Sequence, residues 1–198
     1  MIDQHPIVSY RRNPVTLKRD ERSSVALWNG VVIAVWGECV DDDGLLAIWQ
    51  ACQASSCAGI NRVQVMNVFE PGARTQVTED TRRRLLKVLT SRSTFRVVQE
   101  ANIFESTHEV PDGISRATPI LGSNVDCSRW FDDVEYAGAW LHDELKRFNS
   151  ISLGKHTREN RFRAEVDYCA DDLLEVVGEI RGETTGIRLR LSALGLKA

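Results

Sequence analysis

The C-terminal segment holds the residues whose types and spacing best suit a definite chemistry, because arginine and threonine side chains bind phosphates and base edges. The pattern predicts a helix over residues 171–180, a short turn at Arg181–Thr184 and a second helix over residues 185–196. Two helices joined by a tight turn that contains glycine are the layout of a helix-turn-helix. We therefore expect a DNA-binding set of six residues: Arg181, Thr184, Thr185, Arg188, Arg190 and Lys197.

The same segment permits two other interpretations. Apolar and polar residues alternate from Ile187 to Ala193, which is the period of a strand. Helix is the preferred prediction for residues 186–194, because leucine and arginine favour helices and Leu194 breaks the alternation. The segment 151–198 balances eight basic against eight acidic residues, whereas DNA-binding modules are usually more basic. A rival hypothesis therefore stays open, in which these helices pack on the preceding domain and contact no DNA.

A family resemblance supports the DNA-binding hypothesis. The recognition helix of Fis-type and AraC-type regulators, with its Thr-Leu-x-Arg-x-Leu-x-x-Leu-Gly-Leu pattern, resembles Ile187-Arg188-Leu189-Arg190-Leu191-Ser192-Ala193-Leu194-Gly195-Leu196. The resemblance implies that Thr184 and Thr185 begin this helix and that Arg188 and Arg190 face DNA. Helical residues two positions apart point about 200° from each other, so one arginine would read a base edge while the other holds the backbone. A homodimer on a two-fold operator is the corresponding expectation.

Enzymatic chemistry has little support in the residues. The four histidines are scattered, none lies in a GxSxG or HExxH setting, and no glycine-rich phosphate loop follows a predicted strand. No Cys or His cluster has the spacing of zinc ligands. The acidic triplet Asp41–Asp43 is interpreted as the cap and first turn of a helix rather than as a metal site. We expect a non-enzymatic protein without a metal or cofactor.

Composition limits the possible partners and compartments. The chain has 198 residues and a net charge of -3, so attraction to nucleic acid requires a local basic patch. No apolar run reaches the roughly 20 residues of a membrane span, and the N-terminus lacks a secretory signal. Five cysteines without a CxxC pair favour reduced thiols. These features predict a cytoplasmic protein with no membrane partner.

The elements that would position these residues begin with an apolar stretch from Val25 to Trp36. The pair Asn29-Gly30 divides it, and this pair favours a two-residue type I′ hairpin turn. The second half is apolar on both faces, which predicts a strand covered on both sides. Further predicted elements are a helix after Asp41–Asp43, a strand at 63–69, a helix capped by Thr78, a short strand at 95–98, and a strand and helix within 125–145.

Strands that alternate with helices imply crossover connections, so we predict an α/β fold with a mostly parallel sheet, an N-terminal hairpin and a small C-terminal helical segment. The expected organisation is a flexible leader at 1–24, the α/β domain at 25–148, a linker at 149–163 and a helix-turn-helix at 164–198.

The order of elements in residues 25–145 resembles the STAS domains, which include the anti-sigma-factor antagonists of bacteria. That family carries an Asp-Ser-Ser-Gly run after the central strand, and a partner kinase phosphorylates its serine. Here the corresponding residues are Phe69-Glu70-Pro71-Gly72-Ala73-Arg74-Thr75-Gln76-Val77-Thr78, which contain no serine. The resemblance thus implies a degenerate STAS-like domain without the phosphorylation switch, one that binds a protein or a small ligand.

Two hypotheses for function follow. The first is a bacterial regulatory protein in which the STAS-like domain senses or binds a partner and the helix-turn-helix binds DNA. The rival is a protein–protein interaction module of the anti-sigma-factor antagonist type that binds no DNA. The discriminating feature is whether the face formed by Arg188 and Arg190 is exposed.

Overall fold

The computed structural model describes residues 13–58, 60, 62–81, 83–84, 95–104, 125–153 and 168–193. Eight strands and three long helices lie within these ranges. They are β1 Val15–Arg19, β2 Ser23–Trp28, β3 Val31–Trp36, β4 Cys39–Val40, α1 Asp42–Cys57, β5 Arg62–Phe69, β6 Arg74–Thr75, β7 Arg96–Phe104, β8 Val125–Phe131, α2 Val134–Leu153 and α3 Ala170–Ala193. Residues 79–81 and 83–84 are also helical.

Six of the strands form one sheet in the order β1-β2-β3-β5-β7-β8. The pairs β1–β2 and β2–β3 are antiparallel, and the three pairs from β3 to β8 are parallel. The predicted α/β fold with a mostly parallel sheet is therefore confirmed. The hairpin is also confirmed, since Asn29 and Gly30 have φ of 46° and 77°, both positive as a type I′ turn requires.

Helices cover both faces of this sheet. Helix α1 packs on one face, here called the α1 face, where it meets Val32, Ala34 and Trp36 of β3. Helices α2 and α3 pack on the opposite face, the α2–α3 face, which carries Val31, Ile33 and Val35. All six residues of β3 are buried. This confirms a strand covered on both sides, and Val65 and Val68 of β5 are buried in the same sheet.

Local hydrogen bonds fix the starts of the helices. The Asp41 carboxylate accepts from the Gly44 amide at 2.7 Å and caps α1, as expected for the acidic triplet. Asp42 accepts instead from the amide and the hydroxyl of Thr78, at 2.9 and 2.7 Å. The Thr78 hydroxyl in turn accepts from the Thr81 amide at 3.2 Å, so its predicted capping role is confirmed.

The predicted boundaries near the chain ends differ from the observed elements. Residues Val15–Arg19 form an edge strand, although they fall within the expected leader. Helix α2 continues to Leu153, so residues 149–153 are helical rather than part of a linker. The other parts of these predictions concern segments that lie outside the described residues, namely 1–12, 154–167 and 194–198.

The predicted turn at Arg181–Thr184 is wrong, because α3 is one continuous helix from Ala170 to Ala193. A glycine within a helix costs about 1 kcal/mol relative to alanine. The neighbouring side chains of Ile180 and Thr184 are buried, and their packing stabilises the helix and offsets that cost at Gly182. The preference for helix over strand is confirmed for residues 186–193, and Leu194 lies outside the described residues.

Candidate functional site

Polar side chains occupy the middle of the parallel sheet on the α1 face. Asn67 of β5, Glu100 and Asn102 of β7 and Ser128 of β8 form what we call the polar cluster. The strand register pairs Asn67 with Asn102 and Glu100 with Ser128, so the four residues lie side by side on adjacent strands. Asn67, Glu100 and Asn102 are each 2% exposed or less. Buried polar groups are costly unless they are hydrogen-bonded, so their partners decide what the site can do.

Hydrogen bonds connect the cluster from one strand to the next. The Asn67 amide donates to Glu100 Oε1 at 3.1 Å and to Asn102 Oδ1 at 3.0 Å, while its Oδ1 accepts from the Trp36 indole at 3.3 Å. The Asn102 amide donates to Ser128 Oγ at 3.1 Å, and Ser128 Oγ donates to Glu100 Oε2 at 3.0 Å. Each oxygen of the Glu100 carboxyl group therefore accepts a hydrogen bond.

The charge of Glu100 is poised to change near neutral pH. Burial raises the pKa of Glu100 to about 7, although hydrogen bonds from Ser128, Asn102 and Asn67 favour the ionised form. Glu100 forms no ion pair within the described part of the chain. A buried carboxyl group without a cation is an unusual feature, and perturbed titrating groups of this kind concentrate at functional sites.

A row of aromatic rings links the cluster to the protein surface. Trp36 stacks on Phe69 with 6.4 Å between ring centroids, and Phe69 stacks on Trp130 at 5.8 Å. Trp130 is 41% exposed, and Ser128 on the same strand is exposed as well. The site thus presents an indole and a hydroxyl at the surface, with a titrating carboxyl group directly beneath. Such a surface can pack an apolar group, donate and accept hydrogen bonds, and attract a cation.

A second polar network lies on the α2–α3 face and has a structural role. The Gln64 amide donates to Gln99 Oε1 and to the Leu141 carbonyl oxygen, both at 2.7 Å, and Gln64 Oε1 accepts from the Tyr168 hydroxyl at 2.7 Å. The Tyr168 ring also contacts Trp28, with 5.5 Å between centroids. These contacts attach α2 and the start of the C-terminal segment to the sheet.

A polar cleft opens where β3 and β5 end. Its volume is about 400 Å³, and its walls are Arg22, Gly37, Glu38, Cys39, Pro71, Gly72, Arg74 and Gln76. The short parallel pair of β4 and β6 forms part of the wall and pairs Cys39 with Arg74. In sheets with parallel strands, ligands bind beyond the carboxyl ends of the strands, which is the position of this cleft.

Two residues of the predicted DNA-binding set, Arg181 and Thr184, contact the sheet domain. Arg181 Nε donates to Glu70 Oε1 at 2.7 Å, and Thr184 is 3% exposed. The Thr184 hydroxyl lies 2.8 Å from Ser24 Oγ and 2.9 Å from the Ile180 carbonyl oxygen. Neither residue begins a recognition helix, because both lie inside α3 and face the sheet domain.

The other four residues of the predicted DNA-binding set have no described side chains. Thr185, Arg188 and Arg190 belong to the helical backbone of α3, and Lys197 lies outside the described residues. Their contacts with DNA stay predictions.

Sequence patterns missed Glu100, Asn102 and Ser128. The strand was predicted to end near residue 98, whereas β7 runs to Phe104, because polar residues at 99, 100 and 102 weaken the apolar pattern. A usable signal was present. Glu100 and Asn102 alternate with Ala101 and Ile103, which is the period of a strand with one polar face.

Comparison with known proteins gave no match to a family model, to a curated protein or to a solved structure. Among the described residues, no helix combines the length and the apolar character that crossing a membrane requires. The same part of the chain contains no group of three or more His, Cys, Asp or Glu residues able to hold a metal ion.

Proposed function

We propose that this chain is a non-enzymatic, STAS-like interaction module that binds a protein partner through the exposed part of β8. The observation that carries the proposal is the indole of Trp130, which is 41% exposed. This indole stacks on Phe69 and lies near the buried carboxyl group of Glu100. Tryptophan is among the residues that contribute most to protein–protein affinity. A partner that presents an apolar or cationic side chain fits this surface.

The packing of the C-terminal helix favours this proposal over a DNA-binding regulator. Thr184 reaches Ser24 on β2, Arg181 pairs with Glu70 after β5, and Glu183 pairs with Arg19 of β1 at 2.7 Å. A recognition helix must present an exposed face to the major groove, and its N-terminal residues contact the base edges. In this chain, residues 181–184, which correspond to the predicted turn of the helix-turn-helix, are instead held against the sheet domain.

The STAS-like part of the proposal is supported by the order of the elements. The hairpin of β2 and β3 leads into α1, and the strands β5, β7 and β8 follow in parallel, as the resemblance implies. The loop that carries the family's phosphorylated serine here carries Thr75 and Thr78. Thr78 is engaged by Asp42 and Thr81, which supports a module that works without phosphorylation.

Binding of the full-length protein to partners from its native cells tests the proposal. Proteins that co-purify with the wild type are produced separately, and their affinity is measured for the wild type, Trp130→Ala and Trp130→Phe. Tyr136→Ala is the matched control, because Tyr136 is 72% exposed on α2. We expect at least one partner to bind Trp130→Ala at least about tenfold more weakly than it binds the wild type. The same partner should bind Trp130→Phe and Tyr136→Ala as tightly as the wild type.

Two results would overturn the proposal. The first is a set of partners whose affinities are the same for wild type and Trp130→Ala, with both proteins folded by circular dichroism. The second is retention of genomic DNA fragments by the wild type at low salt that is lost in Arg188→Ala or Arg190→Ala. The second result would restore the DNA-binding hypothesis.

A further inference from the structure

We propose that the cleft at the ends of β3 and β5 binds the anionic end of a small molecule, a phosphate or carboxylate group, at a site separate from the β8 surface. The cleft holds about 400 Å³. Small-molecule sites typically span about 300–1,000 Å³, so it accommodates a metabolite-sized ligand but not a folded partner.

The charges that line the cleft favour an anion. Arg22 and Arg74 both line it, both are exposed, and neither side chain forms an ion pair within the described part of the chain. Among the described residues that line the cleft, Glu38 is the single carboxylate, so two guanidinium groups face one opposing charge there. Guanidinium groups bind phosphate and carboxylate oxygens through paired, charge-assisted hydrogen bonds.

Other cations near the cleft are already engaged. Lys18 lies 2.8 Å from Asp20 and 3.4 Å from Asp41, and Arg181 lies 2.7 Å from Glu70. These pairs neutralise their own carboxylates and keep them from competing for Arg22 and Arg74. Among the described residues, Arg22 and Arg74 are consequently the cations that give the cleft its positive potential.

The backbone holds both arginines in fixed positions. The carbonyl oxygen of Arg22 accepts from the amides of Gly37 and Glu38, at 2.7 and 3.1 Å. The amide of Arg74 donates to the Glu38 carbonyl oxygen at 2.8 Å, within the pairing of β4 and β6. A site whose backbone is already ordered loses less entropy on binding.

Gly72 in the wall of the cleft borders open space. Gly72 has a φ of +87°, and a Cβ placed there would meet no atom within 4 Å. A side chain at this position would therefore project into open space beside Pro71.

Calorimetric titration of the full chain tests the site, with pyrophosphate and citrate as separate probes. We expect at least one probe to bind at low salt, and the comparison between them assigns phosphate or carboxylate chemistry. Arg22→Gln and Arg74→Gln should each weaken that probe by at least tenfold. Glu38→Gln should strengthen it, because the opposing carboxylate is removed.

The control variants separate this site from general charge effects and from the partner surface. Lys146→Gln removes one exposed cation from α2 and should leave the affinity unchanged. Trp130→Ala should also leave it unchanged, whatever its effect on protein binding. The proposal fails if neither probe binds the wild type, if both arginine variants bind as the wild type does, or if Lys146→Gln weakens binding as much as they do.

Discussion

Replacing Glu100 with glutamine should make the protein more stable at alkaline pH and leave its stability nearly unchanged at acidic pH. Glutamine has almost the same shape and keeps an oxygen for the Asn67 amide. Its nitrogen can donate to Ser128 Oγ, since the hydroxyl can turn to accept. Glu100→Gln therefore imitates the protonated carboxyl group in the same set of hydrogen bonds, without the cost of a buried charge.

The direction and size of the effect follow from the pKa. Burial raises the pKa of Glu100 in the folded protein to about 7 from its ordinary value of 4.5, so between these pH values the folded protein holds a proton that the unfolded chain releases. The free energy of unfolding then falls as pH rises through this window and levels off above it. Linkage gives a loss of about 2–3 kcal/mol in the wild type between about pH 5 and about pH 8, which the glutamine variant should not show.

Urea unfolding at several pH values measures this difference directly. Glu175→Gln is the matched control, because Glu175 is exposed on α3 and its variant should follow the wild-type pH dependence. If Glu100→Gln and the wild type lose stability in parallel from acidic to alkaline pH, then Glu100 does not titrate in this window. The account of the polar cluster would then be wrong.

Two substitutions probe the core, and one measurement probes the loop that ends at Thr78. Val65→Asp places a charge at a position that is 0% exposed, so unfolding experiments should show a loss of at least about 3 kcal/mol. Gly44→Ala adds a Cβ 2.8 Å from Cη2 of Trp36, and thermal melts should show destabilisation of about 1–3 kcal/mol from overpacking. Thr78 should carry no phosphate in protein purified from its native cell, because Asp42 and the helix cap already engage its hydroxyl. Mass spectrometry that finds phosphate on Thr78 would contradict this last expectation.

The parts of the fold that could be predicted depend on local signals. Asn29-Gly30 sets the hairpin through its backbone preference, and Asp41 and Thr78 begin helices through hydrogen bonds to residues only three positions away. The six apolar residues of β3 similarly indicate burial on both faces. Each of these signals is complete within a few residues of sequence.

The parts that could not be predicted depend on contacts between distant residues. Arg181-Gly182-Glu183-Thr184 has the composition of a turn, yet Ser24, Glu70 and Arg19 hold it as helix from far along the chain. Glu100 is stable inside a strand only because Asn67 and Ser128 supply hydrogen bonds from neighbouring strands. Neither partner can be identified before the sheet order is known.

The packing of α3 has a consequence for how the chain folds during synthesis. The α2–α3 face of β3 is covered in part by Leu173 and Val177, so residues that are synthesised much later complete a core that begins near residue 25. Contacts over such long separations slow folding and leave apolar surface exposed in the meantime. We expect nascent chains that end before residue 170 to keep Val31, Ile33 and Val35 accessible, and to depend on chaperones until α3 has left the ribosome.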